Sequence, residues 1–112
     1  MVDSFRHKGM RRRLVEELAN KGIYDTRVLE AINSIPRHQF LDTAFVNFAY
    51  QDKAFPIGEG QTISQPYTVA FQSQLLQIKP YEKELEVGTG SGYQAAVLTL
   101  LEADVYTIER QR

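Results

Sequence analysis

Glu86-Val87-Gly88-Thr89-Gly90-Ser91-Gly92 sets three glycines at alternate positions behind an acid. Glycines let the main chain take positive φ and let a ligand approach the backbone closely. At the carboxyl end of a parallel strand, such a run binds nucleotide-type ligands. A second acid, Glu109, comes about 20 residues after Gly88, the spacing of a carboxylate that accepts ribose hydroxyls. The dinucleotide pattern G-x-G-x-x-G requires glycine where this chain has Tyr93. A Walker loop is excluded too, because no Gly-Lys-Ser/Thr follows. The residues point to a nucleoside-type ligand. The competing possibility is a tight strand-to-helix turn with both acids solvated.

A second constellation is Pro56-Ile57-Gly58-Glu59-Gly60-Gln61-Thr62-Ile63-Ser64-Gln65-Pro66-Tyr67, which is polar, glycine-flexed and pinned to a helix start. Spacing alone gives Ser64 a structural task, as an N-cap whose oxygen accepts a free backbone N–H ahead of Pro66. A nucleophilic serine is disfavoured, since no nucleophile-elbow sequence surrounds it and His7 and His38 form no recognisable base arrangement. His38 is expected as a hydrogen-bonded structural histidine. Two histidines so far apart in sequence make a poor metal site, and no metal is expected.

These loops need elements to hold them. Met10, Leu14, Val15 and Leu18 fall at helical spacing and predict a helix over 4–21. Arg11-Arg12-Arg13 inside it reads as a solvated face. A second helix is predicted over 26–35, capped by Asp25 and stopped by Pro36. A third, short and aromatic, is expected over 42–50. Residues 51–65 lack periodicity and read as loop. Pro66 opens a helix to about 77. A strand over 83–87, a helix over 92–101 and a strand over 104–108 complete the pattern, a β-α-β unit with parallel strands. The organisation is a helical region over 1–80, with a substrate loop at 56–66, then the start of an α/β domain over 81–112.

Composition narrows the classes. Apolar residues at 43% and charged residues at 24% fit a globular protein and argue against disorder. A net charge of −1 gives no reason to expect nucleic acid or an anionic membrane as partner. There is no cysteine, which rules out disulfides and thiol chemistry and suits a reducing compartment. No signal-like N-terminus and no membrane-length apolar run occur, so a cytoplasmic location is expected.

The acid-x-Gly-x-Gly-x-Gly run resembles the first motif of S-adenosylmethionine-dependent methyltransferases. A more specific resemblance rests on Met10 to Leu18, Val28-Leu29-Glu30-Ala31-Ile32, Pro36-Arg37-His38, Ala49-Tyr50, Pro56-Ile57-Gly58, Gly60 to Ala70 and Glu86 to Ala96. Together they look like the protein-L-isoaspartate O-methyltransferase family. The resemblance implies a Rossmann-like α/β fold, N-terminal helices followed by the first β-α-β unit. It implies S-adenosyl-L-methionine as cofactor, held by Glu86, Gly88, Thr89, Gly90, Ser91, Gly92 and Glu109. Glu86 meets the ammonium and Glu109 the ribose.

The resemblance also implies Ser64 as the active-site residue, reversing the cap-only reading while leaving open that one hydroxyl does both jobs, with Gln61, Thr62 and Ile63 binding substrate. The implied reaction methylates the α-carboxylate of L-isoaspartyl residues in damaged proteins. The ester closes spontaneously to a succinimide, which hydrolyses partly to aspartate. Members of the family are roughly twice as long, so the chain is expected to be their N-terminal part, incomplete and weakly active or inactive alone. The alternatives are a non-catalytic helper that binds a partner or swaps strands through exposed sheet edges, and a dinucleotide oxidoreductase fragment, which Tyr93 disfavours. Glu84 is unusual for a central parallel strand. Either it faces solvent, or the strand is shifted or unformed.

Overall fold

Ser4 and Asp25 start the first two helices by the same device, a side-chain oxygen accepting a free backbone N–H of the first turn. The computed structural model describes residues 3–58, 60–76, 83–87, 92–101 and 104–108. Helix α1 runs Phe5–Asn20 and α2 Thr26–Ser34. The Ser4 hydroxyl accepts from the His7 amide at 3.2 Å, and the Asp25 carboxylate from Arg27 at 3.0 Å. Gly22, at φ 105, ends α1 in the left-handed region that favours glycine. The Gly22 amide returns to the Ala19 carbonyl and the Ile23 amide to Leu18, the paired bonds of a Schellman cap. Ile23 and Leu18 are both buried, which seals that end with an apolar contact.

Two short 3₁₀ helices follow, Arg37–Phe40 and Thr43–Phe48. The aromatic segment predicted over 42–50 therefore winds more tightly than an α-helix. Its turns are too short to show a helical apolar stripe, and Val46 and Phe48 are part-exposed or exposed. Residues predicted as loop contain a hairpin instead: β1, Phe55–Gly58, pairs antiparallel with β2, Gln61–Ile63. The register slips between Pro56 and Gly58, a bulge in a strand of only four residues. Pro56 can join because a two-stranded ribbon leaves an edge without ladder bonds. Gly60, at φ 72, turns the chain.

Helix α3 covers Pro66–Leu76, β3 Lys83–Val87, α4 Tyr93–Leu100 and β4 Asp104–Ile108. Strands β3 and β4 pair in parallel, from Lys83↔Asp104 to Val87↔Ile108. The predicted β-α-β unit is present, and the strand carrying Glu84 is formed over its predicted span. Leu14 and Leu18 of α1, Val28 and Ile32 of α2, Val69 of α3 and Val97 of α4 meet in one core with Ile63. Each is at most 1% exposed. Burying one such side chain stabilises by about 1.5–3 kcal/mol, so the helices and the glycine-loop helix are held together by shared packing. Among the described residues, no helix is long and apolar enough to cross a membrane.

The arginine run corrects the sequence reading. Arg12 and Arg13 are exposed, but Arg11 is buried on the same face as Leu14 and Leu18. It makes a two-pronged bond to Asp3, at 2.9 Å on each arm, and also reaches the Asn33 carbonyl and the Tyr50 hydroxyl. The bond to Arg11 lowers the pKa of Asp3, and the same bond raises that of Arg11. A charge run read one residue at a time hides this, because only one of three consecutive helical positions can face inward.

Candidate active site

Arg37 follows Pro36 in the first 3₁₀ turn and turns its side chain wholly into the interior, 0% exposed. Burying a guanidinium is costly unless its donors are bonded. Here Nε donates to the Ala49 carbonyl at 2.9 Å, and Nη2 donates to Lys53 at 3.1 Å and to Ser64 at 2.9 Å, while Nη1 is buried with no hydrogen-bond partner among the described residues. All three acceptors are main-chain oxygens between the second 3₁₀ helix and α3. The guanidinium also lies over the ring of Tyr93, 4.8 Å from its centroid. Burial lowers the pKa of Arg37, opposed by Tyr93 and Asp52 nearby.

Asp52 brings a carboxylate to the same segment, its side chain 2% exposed. One oxygen accepts the Tyr67 amide at 2.8 Å, and the other accepts the Lys21 ammonium. The capping oxygen of α3 thus comes from Asp52, fifteen residues upstream of Tyr67, and not from Ser64 as spacing suggested. An acid at a helix start also meets the positive end of the helix dipole. Asp52→Ala is expected to destabilise the chain by about 2 kcal/mol, from the lost cap and the stranded amide. Asp52→Asn keeps an acceptor and is expected to cost about half as much. Denaturant unfolding of the two variants checks the order.

Ser64 is exposed, and no described residue bonds its hydroxyl. Its carbonyl is fixed by Arg37 while its side chain faces outward. Thr62 is likewise exposed, Gln61 is half-buried, and Ile63 between Thr62 and Ser64 is 1% exposed. Ile63 therefore anchors the segment in the core. Gln61, Thr62, Ile63 and Ser64 form one contiguous edge running from β2 to the start of α3.

On the other side, β3 and β4 end as neighbours at Val87 and Ile108. Glu86 lies on β3 opposite Thr107. Gly88, Thr89, Gly90, Ser91 and Glu109 lie outside the described residues. Gly92 is the N-cap of α4 with φ 82 and ψ 0, a left-handed conformation in which a side chain is strained. A Cβ built there meets no described atom within 4 Å, and the left-handed backbone is what favours the glycine. Parallel strands ending side by side, with a glycine-led helix after one and an acid next in sequence after the other, fit a nucleoside cofactor.

The two regions are tied through side chains that the sequence did not flag. Tyr93, next to Gly92, is the ring under Arg37. Gln94 Nε2 donates to Ser73 of α3 at 3.0 Å, and buried Gln74 accepts the Tyr24 and Asp25 amides at the start of α2. His38 is buried and its Nδ1 lies 2.8 Å from the Tyr50 hydroxyl, the structural histidine expected. His7 and His38, distant in sequence, stack at 3.9 Å between ring centroids. No periodicity marks Arg37, Asp52 or Tyr93. The available signals are an arginine after a helix-stopping proline and an acid ahead of an irregular segment.

The profile of the family Protein-L-isoaspartate(D-aspartate) O-methyltransferase (PCMT) matches residues 9–112. The protein-L-isoaspartate O-methyltransferase of Flavobacterium johnsoniae is 66% identical over 111 residues, covering 99% of this chain and 52% of the relative. That of Christiangramia forsetii is 66% identical over the whole chain and 53% of its own length. The chain thus spans about half the length of the curated relatives it matches. A solved protein-L-isoaspartate O-methyltransferase superposes with a TM-score of 0.79 at 29% identity, over 91% of this chain and 34% of that one. A Plasmodium falciparum structure described as such an enzyme, in complex with S-adenosyl-L-homocysteine, gives 0.73 at 25% identity over 91% and 50% of the two chains.

Proposed function

Since this chain belongs to the protein-L-isoaspartate(D-aspartate) O-methyltransferase family, we propose that it forms the N-terminal half of a site that methylates L-isoaspartyl carboxylates in damaged proteins. The observation that carries this is at Ser64. Its hydroxyl is exposed and unbonded among the described residues, while a buried guanidinium fixes its carbonyl.

S-adenosyl-L-methionine, when bound, supplies an electrophilic methyl group. Glu86, Gly88, Thr89, Gly90, Ser91, Gly92 and Glu109 are the residues that would hold it, with Glu86 toward the ammonium and Glu109 toward the ribose. The protein's own task is modest. A carboxylate with pKa near ~4 is already ionised at neutral pH and needs no strong general base. It must be stripped of water and aimed in line, without being bound so tightly that it loses nucleophilicity. A neutral hydroxyl such as that of Ser64 can donate one hydrogen bond and do so. Gln61, Thr62 and the Ile63 backbone flank it. The helical region 1–80 would then carry the acceptor loop and 81–112 the donor loop. The cysteine-free chain suits a cytoplasmic enzyme.

A second reading, a helper that associates through sheet edges, draws on the two-stranded β3–β4 sheet, which has no further strand among the described residues. The exposed Phe71, Leu75 and Leu76 of α3 add an apolar face. One experiment separates the readings. An intact enzyme carrying this half is expected to methylate an isoaspartyl peptide and not its aspartyl counterpart, and to bind S-adenosylhomocysteine in preference to NAD. Self-association of the chain without ligand binding in calorimetry would favour the helper.

A further inference from the structure

We propose that Arg37 is a positioning residue that sets the acceptor loop against the donor loop, a role that rests on the methyl-transfer reading above. One edge of its guanidinium holds the Ser64 carbonyl at 2.9 Å. Its face rests on Tyr93, 4.8 Å from the ring centroid, and Tyr93 directly follows Gly92. One rigid, planar group therefore touches the backbone of the candidate active-site residue and the first residue of the glycine-loop helix.

Charge pairing does not account for this arrangement. No carboxylate pairs directly with Arg37 among the described salt bridges. An apolar side chain here would strand three main-chain carbonyls, so meeting them with a cation rather than another donor calls for a geometric reason. The fork supplies that reason, because its donors point in fixed directions at Ala49, Lys53 and Ser64. A lysine would carry the same charge on a flexible stem with no fork and no stacking face. Asp52 fixes the same segment from its other side, through the Tyr67 amide. The acceptor edge is clamped at the Ser64 carbonyl and the Tyr67 amide, with the Ser64 hydroxyl unbonded among the described residues. In-line transfer is sensitive to such clamping, since a misplacement of about 1 Å can slow a reaction about 100-fold.

The test compares Arg37→Lys with Ser64→Ala in an intact enzyme carrying this half, at a temperature where both are folded. Arg37→Lys is expected to lower kcat at least about tenfold, with KM for isoaspartyl peptide and for S-adenosylmethionine each within about threefold. Hydrogen exchange provides a readout independent of activity: amides of 64–69 and 92–96 are expected to exchange faster together. A purely structural arginine would lower the thermal midpoint and leave kcat of the folded variant unchanged, and that result overturns the proposal. So does a loss confined to KM, or faster exchange in only one segment. If Arg37→Lys fails to fold, Tyr93→Leu removes the stacking face and leaves the three carbonyl bonds. It is expected to lower kcat with the same KM pattern, and an unchanged kcat there also overturns the role. Full activity in Arg37→Lys beside an impaired Ser64→Ala refutes only the role of Arg37. No methyl transfer by the unsubstituted enzyme refutes the functional reading and this role with it.

Discussion

Ser64→Ala, in an intact enzyme carrying this half, is expected to slow methyl transfer to an isoaspartyl peptide about 10- to 100-fold. That is the range for losing one aimed hydrogen-bond donor at a reacting centre. Affinity for S-adenosylhomocysteine is expected to stay within about twofold, because Ser64 belongs to the edge 61–64 and not to the glycine run. Folding stability is expected to change by less than about 0.5 kcal/mol, as for an exposed side chain without partners among the described residues. The structure makes this a clean substitution. The carbonyl that Arg37 holds belongs to the backbone and survives the change. The cap of α3 comes from Asp52, so the helix start survives as well. Had Ser64 been the cap, alanine would have cost about 1 kcal/mol and confused loss of structure with loss of chemistry. Steady-state kinetics, calorimetry and a denaturant curve on one variant give the three numbers. An equal loss of cofactor affinity would remove Ser64 from the acceptor side.

The fate of Ser64 shows where sequence reasoning reaches and where it stops. Helix starts written in local chemistry are readable: Ser4 and Asp25 cap as their types predict, and Pro36 and Gly22 end helices where backbone geometry demands it. The parallel strands 83–87 and 104–108 are legible despite Glu84, because flanking turns and the glycine run bound them. The capping of α3 is not legible, since its oxygen comes from another loop and no residue near Pro66 reports it. The hairpin 55–63 escapes for a related reason. Its strands are four and three residues long, bulged, and interrupted by Pro56, so the period-2 signal never builds up.

Buried charge is the other blind spot. Arg11 and Arg37 are both interior, and sequence reading makes arginine a surface residue by default. What buries them is long-range. Arg11 is compensated by Asp3, the Asn33 carbonyl and Tyr50, and Arg37 by three carbonyls and an aromatic face. None of these partners is fixed by local spacing. The candidate site was therefore readable as two motifs, the edge 61–64 and the glycine run. The apparatus that relates one motif to the other was not.

Alkaline pH should expose that apparatus through Tyr93, whose hydroxyl burial pushes up from an ordinary value of 10 to about 12, with Arg37 pulling the other way. Below pH 10 the tyrosine is neutral in both the folded and the unfolded chain, and its full contribution to stability is present. Between pH 10 and 12 the unfolded chain loses the proton and the folded chain keeps it. Stability then falls by about 1.4 kcal/mol per pH unit, or about 3 kcal/mol across the window. Tyr93→Phe removes the ionisable group and keeps the ring beneath Arg37. Its stability is expected to decline less steeply than that of the parent chain from pH 10 to 12, with the difference approaching about 3 kcal/mol at the upper end. Burial also raises the pKa of Tyr50, which contributes the same background slope to both proteins and cancels in the comparison. Urea unfolding at half-unit steps of pH resolves the two curves, and parallel curves would mean that Tyr93 is not sealed from water. A sealed Tyr93 is what the Arg37 link requires, because a cation stacked on a desolvated ring is held far more firmly than one exposed to solvent. Divergence of the curves and faster exchange at 64–69 and 92–96 in Arg37→Lys would then be two measurements of one buried contact, the first from the ring and the second from the guanidinium.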